Sequence, residues 1–219
     1  MKKAIYILTA LILVSAQRAY AYDNHDFQVW NTETEELKIN ASTRIALEEE
    51  FHWGDYASDF FYQHYDLSLI RDLNKYLNMG AGYRQIYEKK GGAFKEENAP
   101  YGMATVFYDL AGFKLDSRSR LEYRHFDYQS DTWRYRNRFS VKSPWKFTRL
   151  QIQPYLADEI FTKVSSTDLT QNRFCAGLGV NITKNIKGEV YYMLQSVKNT
   201  DTGKWTDANV LGTKLKISF

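Results

Sequence analysis

The stretch Leu37-Lys38-Ile39-Asn40-Ala41-Ser42-Thr43-Arg44-Ile45-Ala46-Leu47-Glu48-Glu49-Glu50-Phe51-His52-Trp53 changes polarity at almost every step. Odd positions carry Leu37, Ile39, Ile45, Leu47, Phe51 and Trp53, and even positions carry Lys38, Asn40, Arg44, Glu48, Glu50 and His52. Only Ala46 and Glu49 break the division. An extended chain sends successive side chains to opposite faces, so this segment is a strand with one apolar and one charged face. The same period returns near 59–71, 76–88, 101–111, 113–127, 133–143, 148–162, 172–183, 188–198 and 208–219. Pro100 and Pro144 fall between these segments; Pro154 falls inside one and marks a bulge.

The links between segments alternate in length. Short ones are 72–75, 110–112, 143–146 and 184–187; longer polar ones are 54–58, 89–99, 128–131, 163–171 and 197–207. Short turns on one side and longer loops on the other are the rhythm of an outer-membrane barrel. The reading is therefore an all-β fold, an antiparallel transmembrane β-barrel of ten strands over 37–219, with twelve as the alternative. The 26–31 segment also looks extended, but an eleventh spanning strand breaks the even count, so 22–36 is read as a periplasmic or lumenal segment.

The N-terminus has the form of an export leader. Lys2 and Lys3 precede an apolar run from Ala4 to Ala16, and Ala19-Tyr20-Ala21 is an A-x-A cleavage site that makes 1–21 a signal peptide. Its removal takes away three basic residues and no acidic ones. The remainder holds 26 basic and 26 acidic residues, which gives no support to a nucleic-acid partner. Aromatic residues make up 16% of the chain, too much apolar surface for a disordered one. Cys175 stands alone, so the fold is held without an internal disulfide.

The chain ends Val210-Leu211-Gly212-Thr213-Lys214-Leu215-Lys216-Ile217-Ser218-Phe219. Leu211, Leu215, Ile217 and Phe219 share one face, a pattern similar to the signal read by the machinery that assembles outer-membrane barrels. Further stretches are Asp26-Phe27-x-x-Trp30, Glu48-x-Glu50, Gly80-Ala81-Gly82-Tyr83-Arg84, Arg118-x-Arg120-Leu121-x-Tyr123-Arg124, Tyr135-Arg136-Asn137-Arg138, Pro154-Tyr155-x-x-x-Glu159-x-Phe161 and Asn172-Arg173. In this order they resemble a bacterial family known as domain of unknown function 2490. The resemblance implies an outer-membrane barrel in contact with lipid, and no catalytic residues.

Lipid exposure decides which face turns inward. Arg or Lys on the lipid face near the bilayer midplane costs ~2–4 kcal/mol. That places Arg44, Arg84, Arg118, Arg120, Arg124, Arg134, Arg136, Arg138, Arg149 and Arg173 in the lumen, with Glu48, Glu50, Glu122, Glu159 and Glu189 as acidic partners. Basic residues outnumber acidic ones on this face, so small anions are the solutes it favours, in a restricted passage or a cavity. The competing expectation is a lumen filled by Arg–Glu pairs, because a barrel of about eight strands is just filled by its side chains.

An enzyme is not expected. The alternative is a hydrolase using acid–base residues at the outer rim, with His64 beside Asp66 and His125 beside Asp127 as the pairs to examine. A loop-borne adhesin or receptor is a third class. No C-x-x-C, H-E-x-x-H or phosphate-binding glycine loop occurs, so no metal or cofactor is expected. The alternating Gly80, Gly82, Gly177 and Gly179 leave room for large lumenal neighbours.

Overall fold

The period-two segments pair edge to edge until the sheet meets itself. The computed structural model describes residues 24–199 and 202–219, and in them eleven strands form a closed barrel. They are β1 (Asp26–Lys38), β2 (Thr43–Gly54), β3 (Asp59–Asn74), β4 (Leu77–Lys90), β5 (Ala93–Leu110), β6 (Phe113–Phe126), β7 (Thr132–Lys142), β8 (Gln153–Lys163), β9 (Leu169–Asn181), β10 (Ile186–Lys198) and β11 (Trp205–Ser218). The shortest has 11 residues, enough to span the ~9–11 that a tilted membrane strand needs. The leader, with Ala19 and Ala21, lies outside the described residues.

The strand count corrects both ten and twelve. Residues 26–38 do not stand apart from the wall; they are β1, antiparallel to β2 and parallel to β11. The parallel seam follows from an odd number of strands, and it sets Asp26 and Phe219 at opposite ends of the barrel. Continuous alternation from Leu37 to Trp53 hid the turn at 39–42. Lys38 pairs with Arg44, so even residues stay inward on both sides of the link and the phase never breaks.

Two links also depart from expectation. The 89–99 loop is a hairpin turning on Gly91 and Gly92, both at positive φ, with Lys90 paired to Ala93. Two consecutive left-handed residues make the tight turn that matches strand twist, and glycine adopts them without steric cost. The Ser143–Lys146 turn instead extends through residue 152. It closes on a Phe147–Ile152 bridge with Thr148 and Gln151 at positive φ. Pro154 is then the second residue of β8, and the irregularity of that strand lies at Phe161/Thr162.

The outside of the wall is largely apolar. Leu67, Leu69, Val106, Leu121, Phe139, Leu156, Leu178, Val190, Leu194 and Leu211 all face outward and are exposed. Aromatic side chains gather at both ends: Trp53 with Phe60, Phe60 with Phe94, and Tyr123 with Trp133 at one, Phe113 with Trp145 at the other. Phe61 turns inward, because the irregularity at His52/Trp53 makes it the extra residue of β3. The outward face of β1 is the exception to the apolar band. Asn31, Glu33 and Glu35 lie there, with Glu33 directly opposite Glu49 of β2.

Candidate functional site: a charged ladder across the lumen

The inward faces of β2, β3, β4, β6, β7 and β8 are joined by ion pairs into one ladder. Glu48 of β2 accepts from Arg84 Nη2 and His64 Nε2, each at 3.3 Å. Arg84 Nε donates to Asp66 at 2.8 Å, and Asp66 also takes Arg120 at 3.4 Å and the Tyr101 hydroxyl at 2.5 Å. Glu122 accepts from Arg134 at 2.6 Å and Arg136 at 3.3 Å, with Arg120 at 3.7 Å. Glu159 accepts from Arg136 at 2.8 and 3.0 Å and from Arg118 at 3.5 Å.

Strand geometry dictates this arrangement. Arg120 lies directly opposite Arg136, and Arg118 directly opposite Arg138, on β6 and β7. Like charges in facing positions repel. Glu122, only 1% exposed, relieves the first pair by accepting from Arg136 with Arg120 at 3.7 Å, and Asp66, 3% exposed, accepts from Arg120 on the other side. Buried charges persist when paired and hydrogen-bonded; a lone one is costly. Phe161 floors the ladder, with Arg134, Arg136 and Arg173 at 5.5, 4.8 and 5.0 Å from its ring centre.

Rim pairs flank the ladder. Arg124 grips Glu97 through Nε and Nη2 at 2.5 and 2.6 Å. At the Phe219 end, Arg44 bridges Glu36 and Asp72, and Lys216 reaches Glu36 at 2.7 Å. Leu211, Leu215, Ile217 and Phe219 share the outward parity of β11, and Phe219 is tied to β1 through its backbone N–H on the Glu36 carbonyl. Arg149 is corrected: it sits exposed in the 143–152 link, because β8 begins four residues after it. Glu189 faces inward on β10, directly opposite Lys214 of β11.

An aromatic stack fills the β1–β3 side of the lumen. Trp30 and His52 lie ring on ring at 3.6 Å, and His52 and Tyr62 at 4.2 Å. His52 Nε2 donates to Glu50, which also takes the Thr32 hydroxyl, while Tyr62 bonds His64 at 3.1 Å. The expected acid–base pairs do not form. His64 turns to Glu48 rather than Asp66. His125 faces outward onto Asp131, at 3.0 Å from both carboxylate oxygens, while Asp127 holds the Glu96 N–H. Hydrogen bonds from Tyr123 and His125 hold the Asp131 carboxyl below the usual carboxylate range. The two sets of histidines lie on opposite faces of the wall and share no site.

Several lumen residues were not singled out from sequence. Tyr101 and Phe161 sit at positions of the inward parity, which was enough to find them, whereas Asp66, named from sequence beside His64, takes Arg84 and Arg120 instead. Trp30 and Thr32 were hidden with β1, and Glu97 with the misread loop. Of the alternate glycines, Gly82 and Gly177 receive large rings and Gly80 the Met103 side chain, while a Cβ on Gly179 would meet only the Gln153 carbonyl. The Tyr101 ring lies across Gly82, Tyr155 across Gly177 and Tyr191 across Gly212, each pair directly cross-strand.

Between the ladder and the β8–β11 wall lies a cavity of about 130 Å³. Arg118, Arg136, Arg138, Arg173, Lys214, Glu48, Glu50, Glu159, Tyr155 and Cys175 are among its walls. No group of three or more metal-ligating side chains occurs among the described residues.

No curated protein matches the chain. A solved structure similar to it is an anion-selective porin from Comamonas acidovorans, at 12% identity and a TM-score of 0.38. The match covers 78% of this chain and spans about half, 55%, of the porin. A family model described as a protein of unknown function, DUF2490, matches residues 27–206, from the second residue of β1 to the second of β11. The ladder and the motifs quoted for the family lie within or at the edge of that span, and the chain belongs to the DUF2490 family.

Proposed function

We propose that this chain is a non-enzymatic outer-membrane barrel of a bacterium with two membranes. It is exported through the 1–21 leader and assembled by way of its C-terminal strand. Its lumen is closed to free diffusion and restricted to small anions. The observation that carries this reading is the ladder, which joins β2 to β8 through side chains in direct ion-pair contact. The apolar outer band and the aromatic ends suit lipid and its interfaces. Glu33, Glu35 and Glu49 interrupt that band at the β1 seam, and acidic residues are tolerated better than Arg or Lys at lipid depth.

The test is conductance of the refolded chain, without its leader, in a planar bilayer under a salt gradient. The expected result is insertion with no steady open-pore current, and any residual current reversing toward anion selectivity. Steady non-selective or cation-selective channels would overturn the reading. So would failure to insert into lipid at all.

A further inference from the structure

The cations on the cavity side of the lumen are not all matched by carboxylates. Among the described residues, Arg138, Arg173 and Lys214 have no carboxylate oxygen within 4.0 Å. Arg173 instead donates to the Gln195 amide at 2.9 Å and lies over Trp30 at 4.7 Å. Lys214 lies over Tyr191 at 5.4 Å. Arg138 faces Arg118 directly across β6 and β7, and Glu159, which could relieve them, is already held by Arg136 and Arg118. Glu48 and Glu50 are likewise engaged, by Arg84 and His64 and by His52 and Thr32, and Glu189, opposite Lys214 and beside Tyr155, is a single carboxylate among the three cations and beyond ion-pair distance of each.

A second observation points the same way. Tyr155 is 4% exposed, and its hydroxyl lines this cavity without a partner in full hydrogen-bond geometry, the Glu189 carboxylate being the acidic group beside it. A buried hydroxyl without a partner costs free energy, as does a buried cation without a counter-charge. One ligand would satisfy both: negative charge spread over several oxygens, able to take N–H bonds from guanidinium groups and an O–H bond from a phenol. At ~30 Å³ for each water's share of liquid, the cavity has room for about four waters, enough to admit a small oxyanion.

We propose that the lumen holds a binding site for one small tetrahedral oxyanion of the phosphate or sulfate class. Arg138, Arg173 and Lys214 supply the charge, and Tyr155 supplies a neutral donor that fixes orientation. The proposal deepens the reading of an anion-leaning lumen and rests on it only in part. A barrel that binds phosphate yet conducts freely would refute the closed lumen and leave the site standing; a silent barrel that binds nothing would do the reverse.

The test is titration calorimetry on the refolded barrel in non-ionic detergent, with inorganic phosphate, sulfate and chloride in turn at constant ionic strength. Saturable binding of phosphate or sulfate at one per chain is expected, with chloride much weaker. Arg138→Gln should weaken it at least about tenfold, since it removes a charge-assisted donor. Tyr155→Phe, which keeps the ring over Gly177, should weaken it about fivefold. Arg44→Gln, at the far rim, should leave it unchanged. If Arg138→Gln does not fold, Tyr155→Phe carries the test. Absence of saturable binding, chloride binding as well as the oxyanions, or an affinity that Tyr155→Phe leaves unchanged would each overturn the proposal.

Discussion

Replacing Glu122 by alanine is expected to destabilise the folded barrel by about 3–5 kcal/mol, the range seen when one partner of a buried ion pair is removed. Glu122 is 1% exposed and has three arginines around it. Arg136 would retain Glu159, and Arg120 would retain Asp66, but Arg134 would lose its 2.6 Å partner altogether. The facing pair Arg120–Arg136 would then repel with one fewer carboxylate between them. Glu122→Gln keeps the acceptor oxygen and loses only the charge, so its cost should be smaller. Equilibrium unfolding in urea, followed by tryptophan fluorescence in lipid vesicles, measures both. A loss below about 1 kcal/mol would mean that water reaches the ladder and screens it, as at a protein surface.

Gly212→Ala is the second large effect, and here the sign turns on shape rather than charge. A Cβ on Gly212 would fall within the Tyr191 ring, which lies flat across it from the paired position on β10. The ring is 5% exposed and packed among other core side chains, so it has little room to retreat. Overpacking of this kind costs about 1–3 kcal/mol. Gly102→Ala provides the contrast, because its Cβ would meet nothing within 4 Å. It should be neutral, or stabilising by up to about 1 kcal/mol through the unfolded chain. In a double-mutant cycle, Tyr191→Ala should abolish most of the cost of Gly212→Ala, since it removes the atoms that the new methyl meets. Additive costs would mean that the ring and the glycine are not joined as described.

How far the fold was legible follows from what each strand turns outward. From β2 to β11, with few exceptions, an apolar outer face alternates with a charged inner one, and period two finds such strands directly. β1 was legible as extended chain over 26–31 but was kept out of the wall by the even-count rule, and its outward Asn31, Glu33 and Glu35 gave no apolar face to argue otherwise. The even-numbered pairing of Lys38 with Arg44 removed the remaining clue, a break in phase at the turn. The Gly91-Gly92 hairpin was readable in principle, since paired glycines favour left-handed turns; the polar residues around it made the segment resemble a loop. The lumen was more legible than the links. Once arginine was excluded from lipid, parity alone sent Arg84, Arg120, Arg134, Arg136 and Glu122 inward. Parity could not tell which carboxylate each would meet, because those partners depend on strand stagger.

Everything inside the barrel depends on β1 being part of the wall between β2 and β11, and a cross-link tests that directly. Asn31 and Thr213 are register partners across the parallel seam, with their side chains hydrogen-bonded at 3.0 Å on the outside of the barrel. In a Cys175→Ser background, Asn31→Cys with Thr213→Cys should form an intrachain disulfide on mild oxidation, seen as a shift in gel mobility and a linked peptide by mass spectrometry. A Phe51→Cys/Thr213→Cys pair should stay reduced, because β1 lies between them. If instead the 51/213 pair cross-links and the 31/213 pair does not, β2 closes directly on β11 and the eleven-stranded wall is wrong.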